Sequence, residues 1–128
     1  MPVAIKDRQS LVLKLEGEEI EVYFRRPNAP EMVRYLAASL SGQGPQSMAQ
    51  MLEAGLELGV SCILGVREGD IVLAEGDGLR ALVTDPAQPG FEKNWKELLK
   101  DKLPGLLLML GNHLVKMTRS ELEVREKN

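Results

Sequence analysis

Residues 11–25 read LVLKLEGEEIEVYFR, and their alternation decides the fold class. With Gly17-Glu18 as a two-residue turn, Leu15 faces Ile20, Leu13 faces Val22 and Leu11 faces Phe24. That register gathers all six apolar side chains on one face of an antiparallel β-hairpin. The opposite face sets Lys14 against Glu21, Val12 against Tyr23 and Ser10 against Arg25, a mostly polar surface suited to a sheet that is dry on one side only. The expected class is α+β: an N-terminal antiparallel β-hairpin packed on a mainly α-helical domain of about four to five helices.

Downstream of the hairpin, Arg26-Pro27 ends strand pairing, because proline has no N–H to donate to a ladder. Asn28 then fits a helix N-cap, with Pro30 in the first turn and Glu31 placed to complete a capping box. Met32, Tyr35, Leu36, Ser39 and Leu40 follow at helical spacing and predict one buried stripe, the expected support for the hairpin's apolar face. Residues 41–45, SGQGP, have loop composition, and Ser47 with Gln50 predicts a second capping box and a helix running to residue 64. Residues 28–64 thus hold two helices. The second carries Met48, Leu52, Leu56 and Ile63 near one face together with Gly55 and Gly59. Each glycine costs a helix ~1 kcal/mol against alanine, so the pair implies a flat groove that another backbone approaches closely.

Residues 66–90 form a turn-rich segment with two readings: residues 71–74 and 79–83 flank Glu75-Gly76-Asp77-Gly78 as a second hairpin, or Asp77 caps a short helix through Val83. Residues 85–90 are a connector by composition. Residues 91–118 are closing helices. Phe91, Trp95, Leu98, Leu99 and Lys102 keep helical spacing, and Pro104-Gly105 breaks the run before a further helix. There Leu106, Leu107, Leu108, Met109 and Leu110 are consecutive, and at ~100° per residue they go right round the cylinder. Such a turn is either buried on all sides or partly covered by a partner. Residues 119–128 read as a charged tail.

The chain has 128 residues, 44% apolar and 27% charged, the profile of a single globular domain. A net charge of -3 supplies no general attraction to nucleic acid. Cys62 is the single cysteine and sits in an apolar run, which excludes an intrachain disulfide and suits a reducing cytoplasm. No basic-then-apolar segment opens the sequence, and the most apolar stretch, residues 103–111, is about half the ~20 residues that span a bilayer. The expectation is a soluble cytoplasmic protein that binds neither nucleic acid nor membrane.

No catalytic, cofactor-binding or metal-binding residue is predicted. The single histidine, His113, lies beside Asn112 on the polar side of the last helix, and with Cys62 it makes neither a nucleophile–base pair nor a zinc site. Glu68, Asp70, Glu75, Asp77 and Asp85 lack the ligand spacing of a calcium loop, and Gly76-Asp77-Gly78 lacks the glycines and lysine of a phosphate cradle. Arg25-Arg26 reads as a solvated strand end. The six methionines are the more informative group, because flexible thioethers adapt to irregular partners, and Met48, Met51, Met109 and Met117 fall on predicted helices. If Leu107, Leu110, Leu114 and Met117 face the fold, Leu106 and Met109 need other cover. The expected partner-binding residues are therefore Met48, Met51, Leu106 and Met109, contacting an apolar helix or a second copy.

A hairpin ending in Tyr23-Phe24-Arg25-Arg26-Pro27, a capped helix from Asn28, a long middle helix reaching Cys62, and Trp95-Lys96-Glu97-Leu98-Leu99 followed by Leu103-Pro104-Gly105-Leu106 and a last helix resembles the tail assembly chaperones of long-tailed bacteriophages and prophages. The likeness spans most of the chain, with no counterpart for residues 70–85. It implies a non-enzymatic protein of the host bacterial cytoplasm that keeps the phage tape-measure protein soluble while tail-tube protein subunits are recruited, and that leaves before the tail is complete. It also implies a longer frameshifted form, of which this chain would be the short version. Two alternatives stay open: a structural virion component such as a tail or head-completion protein, and a small metal-dependent hydrolase built on residues 66–90.

Overall fold

The computed structural model describes residues 2–40 and 45–120, without the side chains of residues 39, 45–47 and 120. The loop of residues 41–44 and the charged tail from residue 121 onward lie outside the described residues. Along the chain run β1 (Gln9–Leu15), β2 (Glu18–Phe24), α1 (Ala29–Leu40), α2 (Pro45–Cys62), β3 (Ile63–Val66), β4 (Val72–Glu75), β5 (Gly78–Ala81), α3 (Trp95–Lys102) and α4 (Pro104–Ser120). The fold is α+β.

The hairpin turns at Glu16-Gly17, not at Gly17-Glu18, and pairs Leu15 with Glu18, Leu13 with Ile20 and Leu11 with Val22. Both turn residues have positive φ, 52° and 84°. This is the type I′ requirement, whose twist matches that of the flanking strands, and glycine takes the second place as in other X-Gly hairpins. The register therefore differs from expectation by two residues, which leaves every side chain on its expected face. Leu13, Ile20, Val22 and Phe24 are buried, and Leu11 and Leu15 pack at the margin of the core.

A third strand joins them. Helix α2 stops at Cys62, and residues 63 and 64, expected as its end, leave with residues 65 and 66 as β3 to pair antiparallel with β2. The strand order is β1-β2-β3. Beyond the strand ends the ladder continues through Arg25 N–H to Cys62 O at 3.0 Å and Arg67 N–H to Glu21 O at 2.9 Å. On the outer side of β3, Val66 N–H donates to the buried Thr84 hydroxyl at 3.1 Å. Thr84 thus supplies the acceptor that a fourth strand would otherwise give.

Helices α2 and α4 meet at their glycines. A Cβ at Gly59 would overlap the Leu107 carbonyl, and one at Gly111 would overlap the Gly55 carbonyl. Since residue 59 lies over 107 and residue 55 over 111, the two helices run antiparallel. The close backbone approach expected from the glycine spacing is present, with Gly55 contributing its carbonyl and Gly59 its missing side chain. Gly59→Ala and Gly111→Ala are each expected to cost about 2–3 kcal/mol, because a backbone oxygen cannot rotate away as a side chain does. Gly55→Ala, with open space around the new methyl, is expected to stabilise by up to about 1 kcal/mol through helix propensity. Urea melts of the three variants check the asymmetry.

The sheet's apolar face meets α4, where the Phe24 ring lies edge-on to His113 with centroids 5.8 Å apart. Helix α1, the expected support, instead lies along α2. Helix α2 begins at Pro45, two residues ahead of the expected Ser47 cap. Residues 72–81 form the second hairpin and not a capped helix, with Gly76 at φ 55° in the turn and Arg80 bridging Glu75 at 2.7 Å and Glu92 at 3.2 Å. Phe91 pairs with Val83 in a single bridge and stands outside α3. Helix α4 takes Pro104 as its first residue, where the missing N–H costs nothing, and continues through Arg119 and Ser120, which were expected in the tail.

Candidate functional site

Among the described residues, the surface with the most exposed large apolar side chains is the α1–α2 helical pair, and its geometry begins at the end of the hairpin. Arg25, expected to be solvated, donates to both Glu31 carboxylate oxygens at 2.8 Å and to Ser61 O at 2.8 Å. Glu31 also accepts from Asn28 N–H at 2.9 Å, while Glu31 N–H donates to Asn28 Oδ1 at 3.0 Å. The capping box read from sequence is therefore closed reciprocally. One arginine and one glutamate lock together the end of β2, the start of α1 and the last turn of α2.

The guanidinium beside it, more than the capping bond, holds the Glu31 carboxyl at about 2, against an ordinary 4.5. A carboxylate depressed in the folded state adds stability that is complete above its unfolded value and vanishes as pH falls through the folded one. Glu31→Gln is expected to lower stability at neutral pH by roughly 2 kcal/mol and to flatten the acid limb of the stability profile between about 4.5 and about 2. Chemical melts at stepped pH values check both the loss and the window.

Between α1 and α2 lies a cleft of about 400 Å³, floored by Tyr35, Ala38, Ala54 and Leu58 and rimmed by Arg34 and Glu53. Outside it, Val33, Leu36 and Leu40 on α1 and Met48, Met51 and Leu52 on α2 are exposed. The α2 group belongs to the stripe that meets α4 at Gly55 and Gly59, continued toward the helix start. Leu40 and Met48 stand on either side of the connector, whereas Val33 lies two turns back along α1, on the flank away from the cleft-lining Arg34, Tyr35 and Ala38. The buried stripe expected on α1 is only partly realised: Tyr35 is buried and Met32 half-buried, whereas Leu36 and Leu40 face outward with Val33.

The four expected partner-binding residues do not form one surface. Met48 and Met51 lie together on α2, 67% and 45% exposed. Met109 is 37% exposed but sits two residues from both Leu107 and Gly111, which places it on the flank of α4 turned away from α2. Leu106 has no exposure at all and belongs to the core, which corrects the expectation that it needs outside cover. Val33, Leu36 and Leu40 are the surface residues that the sequence reading missed; their i, i+3, i+7 spacing was the available signal.

Among the described residues the single cysteine and the single histidine lie apart, one buried at the end of α2 and one exposed on α4. Among the described residues no three His, Cys, Asp or Glu side chains are placed to hold a metal ion. Cys62 is buried, and that burial pushes its thiol up to about 11, away from the range of a thiolate nucleophile. Burial likewise lowers Lys96, whose ammonium donates to Val60 O at 3.0 Å and ties α3 to α2. Among the described residues no helix is long and apolar enough to cross a membrane. Comparison with protein-family models, with curated proteins and with solved structures gave no match.

Proposed function

We propose that this chain is a non-enzymatic tail assembly chaperone of the host cytoplasm, holding apolar helical segments of a phage tape-measure protein, and in turn tail-tube protein, until the tail is built. The observation that carries the reading is the set of exposed Val33, Leu36, Leu40, Met48, Met51 and Leu52 on the outer flanks of the α1–α2 pair. Two adjacent helices with apolar outer positions accept a third amphipathic helix, and methionines let the same surface fit segments of varied shape. The order of elements that resembles such chaperones supplies the choice of partner.

Co-expression with a phage tape-measure protein tests it. The wild-type chain is expected to keep the tape-measure protein soluble and to co-purify with it. Met48→Glu with Met51→Glu should keep the circular dichroism of the wild type, since both side chains are exposed, and lose the capture. Equal capture by the double variant, or an insoluble tape-measure protein beside the wild type, would overturn the reading. Finished particles that retain the chain would place it among virion components.

A further inference from the structure

We infer that the free edge of β1 is a self-association surface, on which a second copy of this chain pairs antiparallel about Val12 to make one six-stranded sheet. Strand β1 spans seven residues and, among the described residues, pairs only with β2. The direction of its unused groups follows from the ladder. Arg25 N–H and Glu21 O bond toward β3, so Glu21, Tyr23 and Arg25 turn their backbone groups that way, and Ile20, Val22 and Phe24 bond toward β1. Their partners there are Leu13, Leu11 and Gln9, which leaves the N–H and C=O of Ser10, Val12 and Lys14 aimed outward.

Those three residues are symmetric about Val12. A two-fold axis through that position pairs Val12 with its copy and Ser10 with Lys14 twice, so every outward rung of the edge is used. The flanking charges fit the same axis. In this register Arg8, one residue before the strand, stands opposite Glu16 of the second copy, one residue past it, and the pair occurs twice. Among the described residues neither side chain makes an ion pair within the chain; Arg8 lies over the Tyr23 ring at 4.3 Å. Shifting the axis to Leu11 would instead oppose Arg8 to Lys14. Charge complementarity therefore selects the register that the backbone groups also select. Val12, 57% exposed in the single chain, gains its own copy as a neighbour, and the half-buried Leu11 gains Leu13 of the second copy. An edge whose sole charge is Lys14 is poorly defended against such pairing.

The proposal is independent of the α1–α2 surface and is tested on exposed charges, which leave the fold intact. Sedimentation equilibrium of the wild type is expected to show a dimer. Arg8→Glu alone and Glu16→Arg alone each turn two attractions into repulsions and are expected to weaken it about tenfold or more. Mixing the two single variants should restore a heterodimer, because each then meets the opposite charge, and the amides of Ser10, Val12 and Lys14 should regain hydrogen-exchange protection in the mixture. A wild type that stays monomeric at high micromolar concentration overturns the inference. So does a dimer whose strength ignores both single variants, since it would use another surface.

Discussion

Leu106→Glu is expected to abolish folding, while Met109→Glu, three residues along the same helix, changes stability by less than about 1 kcal/mol. Leu106 has no solvent exposure and shares the core with Leu107, Leu110 and Leu114. Truncating such a leucine costs about 2–5 kcal/mol by itself. A glutamate adds either a buried unpaired charge or a protonated carboxyl without partners, and the sum rivals the whole stability of an ordinary domain. Met109 lies on the flank of α4 turned away from α2 and is already 37% exposed, so its carboxylate would reach water. Circular dichroism and urea melts of the two single variants separate the cases. A folded Leu106→Glu monomer would mean that α4 is rotated from the phase described, with Leu106 outward.

That phase was the part of α4 that its own letters could not supply. Five consecutive large apolar residues present the same chemistry in every direction, so the inward face of residues 106–110 is undetermined until a neighbour fixes it. The neighbour is α2, through Gly59 under Leu107 and Gly111 over Gly55. Local chemistry, by contrast, was legible. The Asn28–Glu31 capping box needs only residues three apart, and it closed as read. The hairpin faces were legible because side-chain direction has period two, whereas the turn was not, since Glu16 had to adopt a left-handed conformation that glutamate rarely takes. Strand β3 was missed for a non-local reason: Ile63–Val66 is a short apolar run that continues the α2 pattern, and only β2 and the Thr84 hydroxyl make it a strand. At the candidate site, Met48 and Met51 were singled out by their thioether chemistry, while helical spacing set Met48 on the face of Gly55 and Gly59. The spacing of Val33, Leu36 and Leu40 marks a face but not its direction, because α1 carries apolar residues on two faces and the choice between them depends on α2.

Phe24→Ala is expected to cost about 3–5 kcal/mol. Phe24 ends the middle strand of the three, opposite Gln9 on one side and Ile63 on the other, and is 1% exposed. Its ring fills the space between the sheet and α4, with the His113 imidazole at its edge. Removing the ring leaves a void whose walls belong to three strands and a helix already fixed to α2 by backbone contact at Gly59 and Gly111, so the site cannot collapse to fill it. His113→Ala removes only the edge-on contact from an exposed position and should cost no more than about 1 kcal/mol. Phe24→Leu should fall between them. Val12→Ala, on the wet face of the same sheet, should change monomer stability by under about 0.5 kcal/mol. Denaturant melts of these four variants measure whether the six-residue face read from residues 11–25 is the floor of the core, and a Phe24→Ala loss below about 0.5 kcal/mol would sink that placement.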